Sequence, residues 1–157
     1  NVVHELDDAG QLALYDDIVS MIQSACPSER YQISLKIHPI EDISLYRPLE
    51  RRGVTLFGKY TRNHDLVYFS DLYIADSSTS NFIPMVMGKQ ALFFNFLELP
   101  IIETSREYFG IKKYCTDRRE FHDRLLEYSR GALERQYEGT DSIITRDSLT
   151  KILTWIG

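Results

Sequence analysis

A chain of 157 residues holds one ordinary domain with a core of its own, and two would be a squeeze. Hydrophobic residues at 43%, aromatics at 12% and charged residues at 26% are the values of a soluble globular protein, and no apolar run approaches the ~20 residues that span a bilayer. A net charge of -5 and a pI near 5.4 argue against a general nucleic-acid surface and leave room only for a local Lys and His cluster that could hold an anion.

The opening NVVHELDDAG has neither an initiator Met nor a signal peptide, so it reads as a cut from something longer. Val2 and Val3 read as the end of a first strand and Glu5 to Gly10 as an acidic, solvated turn. From Gln11 to Ala25 the apolar positions Leu12, Leu14, Tyr15, Ile18, Val19, Met21 and Ile22 recur at helical spacing, and Pro27 ends the helix. Tyr31 to Ile37 alternates as a strand does and stops at His38-Pro39, because Pro cannot donate to a ladder. His38 therefore stands at a strand's carboxyl end. Ile43 to Arg51 reads as a short helix, Val54 to Phe57 as a strand, and Asn63 to Phe69 as a helix capped by Asn63.

The stretch DLYIADSSTSNFIPMVMGKQALFF, from Asp71 to Phe94, organises the middle of the chain. It reads as a buried strand (Leu72 to Ala75), a polar turn (Asp76 to Ser80), a short helix (Asn81 to Met87), a Gly88-Lys89 stop and a second strand (Ala91 to Phe94). Short apolar runs joined by a helix suit a parallel sheet covered on both faces. A less regular passage, Leu97 to Phe109, leads to a strand over Ile111 to Cys115. Thr116 or Asp117 then caps a helix to Ser129, with Phe121, Leu125, Leu126 and Tyr128 as its apolar side, and a closing helix spans Thr145 to Ile156. Alternating helices and strands predict a single Rossmann-like α/β domain over residues 1–157, a doubly wound parallel sheet with helices on both faces and its ligand at the strands' carboxyl ends.

Two places carry candidate chemistry. His38, two residues after Lys36 and fixed in direction by Pro39, could set an imidazole against a phosphate as donor or acid; a histidine that caps a loop fits the same position. Ser78, Thr79 and Ser80 follow a buried strand at a helix start, where hydroxyls and backbone amides favour a phosphate or ribose. The same residue types also serve as plain N-caps. Cys26 and Cys115 form no disulfide framework and no zinc pair, which suits a reducing, cytoplasmic compartment. The four histidines (His4, His38, His64, His122) lack ligand spacing, so no metal and no resident cofactor is expected.

Taken together, Lys36-x-His38-Pro39, Asp71, Asp76-x-Ser78-Thr79 and Gly88-Lys89 resemble the carboxyl-terminal donor-binding half of GT-B transferases that use cytidine-linked donors, over roughly Tyr31 to Phe96. The likeness is to the CDP-glycerol glycerophosphotransferases and to bacterial sialyltransferases with a His-Pro motif and a Ser-Ser/Thr motif. In the former pattern, Asp-Tyr-Ser-Ser is followed by Phe, and Gly-Lys comes twelve positions after the Asp. Asp76 and Gly88 keep that distance and Phe82 fits, while Ser77 replaces the Tyr and Ile83 stands where an Asp follows the Phe. UDP-sugar 2-epimerases share the architecture but carry Asp-Ser-Gly-Gly and a Glu that this chain lacks.

The resemblance implies that a CMP- or CDP-activated donor is the partner, for polysaccharide synthesis at the bacterial surface. His38 would contact its phosphate and help the nucleotide leave; Lys36, Pro39, Ser78, Thr79 and Ser80 would line the donor site. It also implies a missing amino-terminal domain that supplies the general base, inactivity of this piece alone, and a location in the cytoplasm or peripheral to the inner face of the membrane. From another class, a non-catalytic Rossmann-like binding or assembly module fits the same elements.

Overall fold

The computed structural model describes residues 6–27, 29–76, 78–97 and 110–137. The first strand at Val2-Val3, most of the passage from Leu97 to Phe109, and the closing helix at Thr145 to Ile156 lie outside the described residues.

Helix α1 spans Asp8–Ala25 and starts earlier than its apolar periodicity indicates. The reason is chemical: Asp7 Oδ1 accepts the Gly10 N–H at 2.8 Å, and Asp8 puts a negative charge in the first turn. Asp7 and Asp8 are thus a cap and a first turn, not the solvated turn their acidity suggests. The helix ends where the Cys26 N–H bonds the Ile22 carbonyl at 2.8 Å, one residue before Pro27.

Strands β1 (Ile33–Lys36) and β2 (Val54–Phe57) pair in parallel, with Ile33 opposite Val54 and Lys36 opposite Phe57. Between them run a 3-10 turn, Ile43–Tyr46, and the short helix α2, Arg47–Glu50, which Pro48 opens and Gly53 (φ 79°) reverses. Helix α3 covers Asn63–Phe69, the span read from the sequence. Asn63 is its first helical residue and Arg62 occupies the cap position without a side-chain bond, so the expected Asn63 cap is absent.

Strands β3 (Leu72–Ala75) and β4 (Gln90–Phe93) form a second parallel pair, Leu72 opposite Gln90 and Ala75 opposite Phe93. Their crossover is a 3-10 turn, Thr79–Asn81, running into helix α4, Phe82–Val86. Gly88, at φ 66°, stops that helix. Beyond β4, Phe94 bridges Cys115 in parallel and Ile111 bridges Tyr137 in antiparallel. The strand expected over Ile111 to Cys115 is present only as these two contacts. Helix α5, Arg118–Ser129, is capped by Asp117, whose Oδ1 accepts the Glu120 N–H at 2.8 Å.

The apolar run of β4 explains the layering. Leu92 and Phe94 face Leu14 and Ile18 of α1 and Phe121 and Leu125 of α5, whereas Ala91 and Phe93 face Met85 of α4 with Ile111, Tyr114 and Tyr137. Successive side chains enter opposite layers, so a strand buried on both faces reads as a continuous hydrophobic run. The β1–β2 pair differs. Ile33, Leu35, Ile37, Val54 and Leu56 pack with Tyr15, Val19, Tyr46 and Leu49, but the alternate positions carry Ser34, Lys36 and Thr55, and Ser34 is exposed.

The architecture is therefore mixed α/β with small parallel sheets. No ladder joins the two pairs among the described residues; they are connected through α1, whose Leu14 and Ile18 serve one core cluster and whose Tyr15 and Val19 serve another. No helix among the described residues is long and apolar enough to cross a membrane.

Candidate functional site

Both sequence-marked segments leave the carboxyl ends of parallel strands. After β1, His38-Pro39-Ile40-Glu41 closes a turn in which the Glu41 N–H donates to the His38 carbonyl at 3.0 Å, and Pro39 takes the second position that its fixed φ suits. His38 is exposed, and its Nδ1 accepts the Ile40 N–H at 3.4 Å. A ring nitrogen that accepts holds no proton, so this contact assigns the ring N–H to Nε2.

Lys36 is otherwise engaged. Its ammonium donates to the Ile37 carbonyl at 2.8 Å, and partial burial lowers its pKa, with the Glu41 carboxylate opposing that shift. The structure folds this amine back onto its own strand end.

After β3, Ser78 Oγ accepts the Ser80 N–H at 3.3 Å and lies 2.9 Å from Ser80 Oγ, which in turn is 3.4 Å from the Tyr73 hydroxyl. Thr79 begins the 3-10 turn through its backbone, and its side chain, like Ser77, lies outside the described residues. Asn81 closes the turn: fully buried, it donates from Nδ2 to the Asp76 carbonyl at 2.7 Å, while its Oδ1 is buried with no hydrogen-bond partner. An unpaired buried acceptor of this kind costs about 1–3 kcal/mol. Helix α4 is only five residues long, so the dipole at its start is weak.

Tyr15, on the inner face of α1, packs with both core layers and feels a carboxylate from each segment. Burial raises its hydroxyl pKa above the usual tyrosine value, and the Asp76 and Glu41 carboxylates and Tyr73 raise it further, in that order. The Asp76 and Glu41 carboxylates, one from each turn, thus both act on this phenol and help keep it protonated. Glu41 is fixed in turn by the buried Tyr46, whose hydroxyl is 2.7 Å from Glu41 Oε2 and 3.0 Å from Gln11 Oε1. No hydrogen bond joins His38 directly to Ser78 or Ser80 among the described residues.

Tyr15, Glu41, Tyr46, Tyr73 and the base of the turn at Asn81 carry this arrangement; of these only Asn81, beside the hydroxyl run at the start of a helix, stood out in the sequence. Tyr15 looks like any member of an apolar helix stripe. Glu41 did offer one signal, its place three residues after His38 in a loop that follows a strand.

Other groups resolve into structural roles. Lys89 donates to the carbonyls of Tyr68 at 2.6 Å and Ser70 at 3.0 Å, which ties off α3 instead of α4. Arg62 pairs with Asp65, and Lys59 lies over the Tyr60 ring, on the exposed loop beyond β2. Ser24 Oγ is 2.6 Å from His122 Nε2, a spacing that a nucleophile and its base would have. The pair sits at the last turn of α1, among carbonyl ends unsuited to an oxyanion, and it ties α1 to α5. A cleft of about 290 Å³ opens at the opposite, amino-terminal ends of β1 and β2, where the polar lining is already engaged: Gln23 with Arg52, and Gln32 with Thr55. No cluster of metal-binding side chains occurs among the described residues, and Cys26 and Cys115 are both free and buried.

In comparisons with protein-family models, with curated proteins and with solved structures, none matches this chain.

Proposed function

We propose that the chain is the donor-nucleotide-binding half of a GT-B transferase, with its strands belonging to one doubly wound sheet and a CMP- or CDP-activated donor seated over the carboxyl ends of β1 and β3. The observation that carries this reading is that the His38–Glu41 turn and the Asp76–Asn81 turn each follow the carboxyl end of a parallel strand, β1 and β3. Open α/β sheets take ligands at strand carboxyl ends, and here one turn offers the exposed His38 imidazole while the other offers paired hydroxyls.

In this reading, His38 hydrogen-bonds the donor phosphate and assists departure of the nucleotide. Ser78, Ser80 and Thr79 hold phosphate oxygens, Pro39 sets the direction of the His38 turn, and Lys36 contributes charge from behind it. The carboxylates of Glu41 and Asp76 would repel a phosphate, which places that group toward His38 and the hydroxyls. The acceptor and general base belong to an amino-terminal half, and the whole enzyme works in the cytoplasm or at the inner face of the membrane on a surface polysaccharide or a teichoic-acid-like polymer.

Titration calorimetry with CMP, CDP and UDP tests the reading. The cytidine nucleotides should bind and UDP more weakly; a folded sample that gives no heat with CMP or CDP removes the proposal. A second reading, a non-catalytic binding or assembly module, draws on the Ser78 Oγ bond to the Ser80 N–H, since that hydroxyl is already used as a cap. It predicts silence toward all three nucleotides.

A further inference from the structure

Asn81 is the one described residue of the site whose side chain is both fully buried and incompletely satisfied. Its Oδ1 is left unpaired, a cost that an apolar side chain would avoid. What the amide does is local. Its Nδ2 reaches back to the Asp76 carbonyl at 2.7 Å, and its own N–H donates to the Ser78 carbonyl at 3.1 Å. Those two bonds pin both ends of the turn that carries Ser78 and Ser80, whose hydroxyls stand 2.9 Å apart.

We infer that Asn81 is a positioning residue: it sacrifices some stability to hold the Ser78 and Ser80 hydroxyls as a preformed pair for a phosphate group, an inference that rests on the donor-binding reading above. A flexible hydroxyl pair would lose its ordering entropy at the moment of binding; a pinned one has lost it beforehand. The amide acts through the two serines and never meets the ligand, since no part of it is exposed.

This separates phosphate recognition from recognition of the rest of the nucleotide. The test measures CMP and cytidine affinities by calorimetry, with thermal unfolding alongside, for the wild-type protein, Asn81→Leu and Asn81→Ala. The wild-type protein should prefer CMP to cytidine. Asn81→Leu, which loses the bond to the Asp76 carbonyl and adds bulk, should remain folded, lose at least tenfold in CMP affinity and keep its cytidine affinity. Asn81→Ala should show the same selective loss with some destabilisation from the cavity. Unchanged CMP binding in a folded variant overturns the inference. So does a parallel loss of CMP and cytidine with a falling midpoint, or failure of both variants to fold, because each describes an ordinary structural residue. A wild-type protein blind to CMP defeats the donor-binding reading itself, in an arm measured before any variant.

Discussion

The hydroxyl of Tyr46 lies 2.7 Å from the carboxylate of Glu41, so a side chain sealed in the core reaches out to hold the loop that follows His38. A hydroxyl has one proton to give, and the carboxylate is a stronger acceptor than the Gln11 amide oxygen at 3.0 Å. Hydrogen bonds to charged groups contribute about 1.5–3 kcal/mol, and the partial exposure of Glu41 puts this one near the lower end. Tyr46→Phe should therefore lower the unfolding midpoint by roughly 3–6 °C, the shift expected of about 1.5 kcal/mol in a domain of this size. An unchanged midpoint would show that Glu41 is held by something else.

Arg52 joins α1 to the end of α2. Its guanidinium donates to the Asp16 carbonyl at 2.9 Å and carboxylate at 2.5 Å, to Ser20 Oγ at 3.1 Å and to Gln23 Oε1 at 2.8 Å, and Gln23 Nε2 returns a bond to the Arg52 carbonyl at 2.7 Å. An exposed ion pair alone is worth under about 1 kcal/mol, but a fork with four acceptors is a different object. Arg52→Lys keeps the charge and loses the fork, so it should destabilise by about 1 kcal/mol, nearly as much as Arg52→Ala. Urea denaturation measures both. A lysine variant as stable as the wild type would mean that charge, not geometry, is what matters.

Several elements were legible because their limits are set by local chemistry. β2, β3 and α3 fall where short apolar runs meet Gly53, Gly58, Ser70 and Asp76. Where the structure departs from the sequence reading, longer-range or competing chemistry decided. Asp7 and Asp8 serve α1 because a cap needs only one oxygen in the right place, and Ile111 to Cys115 pairs too sparsely to make a strand. Within the site, His38-Pro39 and the serines were visible as motifs. Tyr15, Glu41 and Asp76 are separated widely in the chain and influence one another only through the folded structure, which no spacing rule encodes.

Alkaline pH should unfold the protein in a defined order. Burial, aided by Glu120 and opposed by Arg124 and Lys113, pushes the Cys115 thiol up from 9.0 to about 12. Burial, then Asp71, Tyr31 and Cys26, pushes the Tyr128 hydroxyl up from 10.0 to about 12. A group whose pKa is raised on folding contributes in full below its unfolded value and loses that contribution as pH climbs toward the folded one. Stability should be flat to about pH 9, then fall by about 1.4 kcal/mol per pH unit as Cys115 ionises in the unfolded chain, and faster above pH 10. Denaturant titrations at pH 8, 9.5 and 10.5 read this directly, and Cys115→Ala should lessen the first part of the slope, to which Cys26, its thiol also raised by burial, contributes as well. Neither thiol should react with a disulfide reagent at pH 8 while the protein is folded; rapid labelling under those conditions contradicts the burial on which the prediction depends.

The last prediction concerns which nitrogen of His38 matters. Nδ1 accepts the Ile40 N–H at 3.4 Å, which leaves Nε2 of the exposed ring as the nitrogen for the proposed donor phosphate. Asn places its amide oxygen about where Nδ1 stands, and Gln places its amide nitrogen about where Nε2 stands, so the two substitutions separate the roles. If Nε2–H is the phosphate donor, His38→Gln should retain more CMP affinity than His38→Asn, with His38→Ala at least tenfold weaker than the wild type. None of the three should move the unfolding midpoint by more than about 2 °C, because an exposed turn residue with one long hydrogen bond contributes little to stability. The reverse ranking, with Asn the better substitute, would mean that His38 serves its own loop through Nδ1 and that the outward nitrogen meets no ligand.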